Sequence, residues 1–486
     1  MKLSALLQNI CEAPFEADIT GIACDSRRVE PGFLFVCIDG VEVDGHEFAG
    51  KAIENGAAVI VVQHDLGLPN QIILPKKKMS TRSAWARLAA NWFDHPAKRM
   101  RLIGVTGTNG KTSSTYMLKH ALEACGKKVG LIGTIQSMIG QHQIPACHTT
   151  PEAYELQGLF AQMADAGCTD VVMEVSSHAL AQCRVDGITF DAAIFTNLTQ
   201  DHLDYHKTMD DYCDAKRKLF QNSRLAVLNA DDRYFEKMKA GVTGDLVTFT
   251  LENRDADVSV PEADYRADGV SFSFTRNGVT TPVSMKIPGR FSVYNATGVL
   301  ACLVALGEDA GAVAASFKTL GGIKGRAEVV HTGRGFSLVI DYAHTPDGIE
   351  KICDTLKADC EGRLITVFGA AGERDRKKRP KMGKIAARYS DHLVLTSDNP
   401  RREDPMQIIN DVLPGIPQGF PCDVFVDRFE AIRHAISIAQ PGDTVLLAGK
   451  GHETYQVLQN GIIHLDEREV VAEALGLKNK WELREE

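Results

Sequence analysis

The chain has no CxxC pair, no apolar run long enough to cross a bilayer, no surplus of basic residues and no internal repeat. Each absence removes a class of function. Its cysteines are scattered singly, most in apolar settings such as Phe35-Val36-Cys37-Ile38 and Ala301-Cys302-Leu303. That is neither a disulfide framework nor a zinc site, and reduced thiols in a cytoplasmic protein are expected. Without a spanning run or a leader segment, neither membrane insertion nor secretion is expected. A formal net charge of −9 argues against a broad nucleic-acid footprint. The two dense basic stretches, Lys76–Lys78 and Arg374–Arg379, are too short for duplex binding, and apart from Arg374 they read as solvated turns.

What is present is a 486-residue chain, 44% hydrophobic and 24% charged, which suits a soluble α/β protein of about three domains. Residues 1–98 carry short strands and an αβ unit, with Gly45–Gly56 as helix and Ala57–Val62 as strand. Asp94-His95-Pro96 reads as a linker. Residues 99–328 alternate buried strands (Val129–Ile132, Asp170–Val175, Ala192–Phe195, Leu225–Leu228) with helices. This segment then passes through a β-rich stretch around Val247–Met285, and Gly321–Gly325 reads as a hinge. Residues 329–486 repeat the alternation, with strands at Phe336–Ile340, Leu364–Phe368, His392–Leu395, Val424–Val426 and Thr444–Leu447. The polar motifs follow strands in both segments. In parallel sheets such positions gather at the carboxyl edge, so two facing edges would form an interdomain site.

The clearest motif is Thr106-Gly107-Thr108-Asn109-Gly110-Lys111-Thr112, between the apolar run Arg101–Val105 and a helix over Ser113–Cys125. A glycine-rich strand-to-helix turn aims backbone N–H groups at phosphate oxygens. Lys111 adds a full positive charge, and the Thr112 hydroxyl is a ligand for Mg²⁺. The spacing is shorter than a Walker loop, whose first glycine would fall on Val105. ATP binding is the expectation. Glu174 ends an apolar strand, and as a hard oxygen donor it suits Mg²⁺, although alone it could be a surface carboxylate. His202 follows a strand among carboxylates. Lys216, on pattern alone, is a helix-surface lysine.

Taken together, Gly107–Thr112, Glu174–Leu180, Thr196–His206, Tyr212–Phe220, Asn229–Asp232, Tyr294-Asn295 and Asp341–Asp347 resemble the Mur ligases, the ATP-dependent amide-forming enzymes of peptidoglycan assembly. The resemblance spans essentially the whole chain in order. It implies a UDP-binding N-terminal α/β domain, a central P-loop ATPase-like parallel-sheet domain and a C-terminal Rossmann-like domain. It also implies that Lys216 is carbamylated and holds Mg²⁺ with Glu174 and His202, Thr112 lying near a second ion. Lys111 is the phosphate-facing catalytic cation, and Gly107, Thr108, Asn109, Gly110, Asn295, Arg326 and Asp341 surround ATP. By resemblance to members that add the third residue, Cys24, Ser26 and the Val41-Glu42-Val43 turn lie near the UDP. His148, Thr149, Thr150, Ser176, Gln182 and Arg184 match positions that hold the muramoyl dipeptide, though other members carry Asn at His148.

Asp398-Asn399-Pro400-Arg401 resembles the signature of the diaminopimelate-adding branch. Meso-diaminopimelate differs from L-lysine by a distal carboxylate, and Arg401 supplies a planar fork for it. Arg374, Gly449 and Glu453 match the remaining amino-acid positions, Glu453 suiting a distal ammonium. Gly369–Asp375 is less glycine-rich than in the family. The expected partners are therefore small molecules, with no nucleic acid and no membrane, and the expected state is a monomer. Competing readings are a lysine-adding ligase, a folylpolyglutamate synthase and a non-catalytic nucleotide switch.

Overall fold

The computed structural model describes every residue except 41, 42, 75, 147, 253, 254, 267, 268 and 478–486, so the expectations for Val41 and Glu42 fall outside the described residues. Three main sheets follow one another along the chain. The first is parallel and four-stranded, in the order Gly21–Ala23, Phe33–Val36, Val59–Val62, Gln71–Ile73. The Gly45–Gly56 helix splits into a 3₁₀ turn, Gly45–Phe48, capped by the Asp44 carboxylate on the His46 N–H, and a short α-helix, Ala49–Glu54. Asp94 and His95 take left-handed φ angles of 57° and 49°, turning the chain from this unit into the next.

The second sheet has a parallel centre flanked by antiparallel strands. Its central order is Asp245–Thr250, Leu225–Asn229, Ala192–Phe195, Arg101–Thr106, Asp170–Glu174, Val129–Ile132. Successive residues feed opposite cores, because side chains alternate across a strand. Ile103, Val105, Val172 and Ile194 pack with the helices Lys111–Ala124 and Arg290–Ala305. Leu102, Met173 and Phe195 pack with Ala153–Asp165 and Met209–Gln221. Burial on both faces is why these strands read as unbroken apolar runs. The hairpin Gln136–Ile139/His142–Pro145 extends one edge and was not anticipated from the sequence.

The third sheet is ordered Glu328–Val330, Ser337–Asp341, Thr444–Ala448, Leu364–Phe368, His392–Leu395, Cys422–Val424, with only Glu328–Val330 antiparallel. Leu364 and Phe368 face one core while Ile365 and Val367 face the other. The edge strand ends at Val424, two residues earlier than the pattern suggested, because Leu393 pairs with Cys422 and Leu395 with Val424. Among the described residues no helix is long and apolar enough to cross a membrane.

Two basic expectations are corrected. Lys378 and Arg379 are not solvated: they are 3% and 0% exposed. Arg379 forks onto Glu403 at 2.9 Å and reaches Asp411 at 2.8 Å, since an arginine can be buried only when its charge and donors are met. Lys216 is also buried, at 1% exposure. It lies four residues after Tyr212 and four before Phe220, on the apolar stripe of the helix Met209–Gln221.

Candidate active site

The phosphate loop leaves the strand Arg101–Thr106 and runs into the helix Lys111–Ala124, whose N-cap Gly110 sits at φ 86°. Close packing dictates both glycines. A Cβ on Gly107 would lie 1.9 Å from Thr196 Oγ1, and one on Gly110 would lie 2.4 Å from Asn295 Oδ1. Asn295 is thereby held against the loop. Lys111 Nζ donates to the carbonyls of Gly107 and Thr108, both at 2.9 Å, which keeps its charge inside the turn. Burial lowers the Lys111 amine, and Glu174 partly offsets that.

Glu174, 1% exposed, accepts from Thr112 Oγ1 at 3.0 Å, from the Thr134 N–H at 2.8 Å and from Thr134 Oγ1 at 3.0 Å. Thr134, missed in the sequence, thus belongs to the same oxygen cluster. Thr134 Oγ1 also meets Thr149 Oγ1 at 3.0 Å, and Thr150 Oγ1 donates to the Glu174 carbonyl at 2.8 Å. Thr149 and Thr150 are therefore joined to the oxygen cluster beside the Gly107–Thr112 loop. Ser176 N–H donates to Thr150 Oγ1, and Arg184 donates to the Thr150 carbonyl and to Gln182 Oε1, both at 2.7 Å. His148 is exposed. Cys24 and Val43 are exposed on the N-terminal unit, whereas Ser26 is buried and its carbonyl accepts from Asn55. Arg28, 3.7 Å from Glu155, ties that turn to the helix following Thr150.

Lys216 Nζ donates to the Gly107 carbonyl at 2.8 Å and sits 4.7 Å from the centre of the Tyr212 ring. Burial, then Lys111, pushes its amine well below an ordinary lysine. His202 holds a left-handed φ of 54° that aims its ring at Asp201, 3.4 Å away. Burial lowers this imidazole to about 3 despite Asp201, with His178, Lys216 and Lys111 adding to the effect, so it is neutral near pH 7. Burial alone would raise Asp201, yet His202, Lys378 and His344 hold it below the usual carboxylate range. Lys378 Nζ is 3.5 Å from Asp201 Oδ1, and His344 Nε2 is 3.9 Å from Oδ2. This cluster joins the two carboxyl edges; Asp201-His202 was visible as a polar pair after a strand, but its meeting with His344 and Lys378 was not, because they lie far along the chain.

Other bonds close the same junction. Arg326 donates to Thr112 Oγ1 at 2.9 Å, Asn109 to Asp347 at 2.6 Å and Gln200 to Asp375 at 2.8 Å. Asp341, whose carboxyl is raised by burial against Arg326, accepts from the Ala327 and Ala343 N–H groups. Together these residues line a cleft of about 810 Å³ that contains Thr108–Thr112, Glu174, His202, Asn295, Arg326 and Asp341.

Beyond it, the loop after His392–Leu395 carries Asp398-Asn399-Pro400-Arg401. Asn399 Oδ1 accepts from Lys450 Nζ at 3.0 Å and from the Val457 N–H at 2.9 Å, while its Nδ2 donates to Glu453 Oε2 at 3.0 Å. Lys450, fully buried, pairs with Glu453 at 2.5 Å. It was not singled out from the sequence, although a lysine three residues before Glu453 in a glycine-flanked loop is such a signal. Gly449, at φ 115°, lets Asp398 approach: a Cβ there would lie 2.9 Å from its Oδ2. Arg401, half-buried at φ 55°, donates from its N–H to the Val457 carbonyl at 3.0 Å and from Nη1 to the Gly372 carbonyl at 2.6 Å. Burial and then Arg374 lower its guanidinium. Arg374 reaches across to Asp204 at 3.9 Å. Val457 belongs to the hairpin Tyr455–Leu458/Gly461–His464, closed by the two-residue turn Gln459-Asn460.

Family models match in three consecutive pieces: a Mur ligase family catalytic domain over residues 18–84, a Mur ligase middle domain over 105–303 and a Mur ligase glutamate ligase domain over 325–451. A UDP-N-acetylmuramoyl-L-alanyl-D-glutamate–2,6-diaminopimelate ligase of Syntrophomonas wolfei subsp. wolfei is 44% identical over 491 residues, covering 99% of this chain and 100% of its own. One from Caldanaerobacter subterraneus subsp. tengcongensis is 46% identical over 466 residues, covering 95% and 96%. A solved structure of a ligase of that name superposes with a TM-score of 0.70 at 33% identity, covering 98% of this chain and 99% of the other. With identity of this level running the length of the chain, the protein belongs to the Mur ligase family.

Proposed function

We propose that this protein is an ATP-dependent ligase that joins meso-diaminopimelate to UDP-N-acetylmuramoyl-L-alanyl-D-glutamate in cytoplasmic peptidoglycan precursor synthesis. The observation that carries this reading is one junction: Asn109 on Asp347, Gln200 on Asp375 and Arg374 beside Asp204 hold the loops after the C-terminal strands against the segment that carries the phosphate loop. Segment 1–98 takes the UDP end, 99–328 the nucleotide and dipeptide, and the chain from 329 the amino acid.

In the first step a dipeptide carboxylate oxygen attacks the γ-phosphorus of ATP, and ADP leaves. Lys111 moves from the loop carbonyls to the phosphates, and the Gly107–Thr112 N–H groups hold their oxygens. In the second step the diaminopimelate nitrogen attacks the acyl-phosphate carbon, and phosphate leaves. The closed junction keeps water from that intermediate. Arg401 and Arg374 hold the distal carboxylate, and Glu453 with Asn399 and Asp398 holds the distal ammonium.

The residues fit Mg²⁺: Thr112, Thr134 and Glu174 present hard oxygens to one point beside the loop. Mg²⁺ when bound neutralises phosphate charge. Lys216 fits that role only after modification. Burial and Lys111 favour its neutral amine, the form that makes an N–C bond with CO₂, releasing a proton and leaving an anionic oxygen donor beside neutral His202.

The test is phosphate release from ATP with the UDP-muramoyl dipeptide and meso-diaminopimelate, L-lysine or no amino acid. Release and tripeptide formation with diaminopimelate alone support the reading. Preference for lysine overturns its specificity, and no release overturns the ligase assignment.

A further inference from the structure

Away from the cleft, at the outer edge of the C-terminal sheet, three ligand-type side chains meet. His392 opens the strand His392–Leu395, Asp423 lies in the edge strand Cys422–Val424, and His434 lies in the helix Arg428–Ile438. The parallel register pairs Val394 with Asp423. His392, two residues before Val394, therefore shares its face of the sheet, the face on which Ala431, Ile432 and Ala435 of the helix pack. The three elements thus bring the side chains together from well-separated positions.

His392 Nε2 and His434 Nε2 each lie 2.8 Å from the same atom, Asp423 Oδ2. One ligand atom from each residue lies within 4.8 Å of the other two, and among the described residues no other group of His, Cys, Asp and Glu is gathered this closely. The His392, Asp423 and His434 side chains are 19%, 41% and 29% exposed, so an ion from solvent reaches them. The Phe425 ring, 4.8 Å from that of His434, restricts one imidazole.

At zinc–ligand lengths of about 2.1 Å the ligands of a tetrahedral site stand ~3.4 Å apart, so the two 2.8 Å nitrogen–oxygen separations open by about half an ångström when an ion enters. Two imidazoles and a carboxylate are the donor set of zinc and its late first-row neighbours, not of Mg²⁺, which takes oxygen ligands. We propose that His392, Asp423 and His434 form a binding site for one such divalent cation, which staples the short edge strand to its neighbour and to the covering helix. Binding places both rings in the Nδ1–H tautomer and exchanges two N–H···O bonds for two nitrogen–metal bonds, with water filling the open positions.

The test uses the full-length protein saturated with Mg²⁺ and a non-hydrolysable ATP analogue, with Zn²⁺ titrated against a chromophoric chelator. The expected result is one Zn²⁺ per chain. His392→Ala, Asp423→Asn and His434→Ala should each weaken it at least ~10-fold, with ligase turnover unchanged, while His202→Gln retains it. No binding by the unmodified chain, full binding by all three variants, or loss in His202→Gln overturns the proposal. If a variant fails to fold, Cu²⁺ on the unmodified chain still decides. Hyperfine structure from two imidazole nitrogens in its electron paramagnetic resonance spectrum supports the site, and its absence overturns it.

Discussion

Replacing Arg401 by alanine is the sharpest test of the proposal that the Asp398–Arg401 loop selects the amino acid. The guanidinium is half-buried and touches the Gly372 carbonyl at 2.6 Å, and burial, then the Arg374 charge, lowers it. Two unit charges 4 Å apart at an effective dielectric of 20 interact by about 4 kcal/mol, and truncating one partner of a hydrogen-bonded pair costs about 2–5 kcal/mol. Solvent access at Arg401 argues for the middle of that range. A loss of about 3 kcal/mol corresponds to a fall of roughly 150-fold in kcat/KM for meso-diaminopimelate. L-Lysine lacks the distal carboxylate, so its kcat/KM should change by less than about 3-fold, and the KM for ATP should hold. Arg401→Lys keeps the charge and loses the fork, and should fall between. The left-handed φ of 55° is common to all three residues, so backbone strain does not confuse the comparison. The assay is steady-state phosphate release with each amino acid varied at saturating ATP and dipeptide. An equal drop for lysine and diaminopimelate would show that Arg401 merely supports the loop, and an equal loss of ATP affinity would refute the assignment.

Three further outcomes follow from the same geometry. Lys216→Ala should reduce turnover by at least ~100-fold, and millimolar acetate or formate should restore part of it by supplying the missing anionic oxygen; full activity in the variant removes the carbamate from the mechanism. Gly372→Ala should lower kcat/KM for the amino acid without altering ATP binding, because a Cβ would stand 2.0 Å from the Pro400 carbonyl and push apart the two loops that Arg401 spans; unchanged kinetics would mean the loops move freely. Acid should destabilise the fold through His206, 6% exposed, whose imidazole burial lowers from 6.5 to about 4. The unfolded chain takes up this proton first, so the contribution is complete above pH 6.5 and is lost as pH falls toward 4, amounting to about 3 kcal/mol. Urea unfolding across that range should show a shallower slope in His206→Gln than in the parent chain.

Local chemistry made the phosphate loop legible: glycines where the backbone must approach Thr196 and Asn295, and a lysine and threonine opening the helix. The apolar strands were equally plain, since burial on both faces leaves no polar alternation to confuse them. Glu174 and Asn399 could be placed at or just beyond strand ends because βα alternation fixes which ends gather. The turn at Gly369–Asp375 shows the limit of that reading. Gly369 and Gly372 face backbone atoms of Thr396 and Pro400, which only the packed loops reveal.

By itself, then, the sequence determined the order of βα units, the glycine-rich strand-to-helix turn at Gly107–Thr112 and the candidate residues at strand ends, because those depend on neighbours within a few positions. Tertiary structure decided the electrostatics. Lys216 left the surface because its helix turns an apolar stripe inward beneath Gly107. Lys378 and Arg379 left solvent because Asp201, Glu403 and Asp411 arrive from distant segments to meet their charges. Asp201 with His344, and Lys450 with Glu453, acquire their properties only when two sheet edges or two loops meet. A charge responds to everything within several ångströms, and that neighbourhood is written in the fold rather than along the chain.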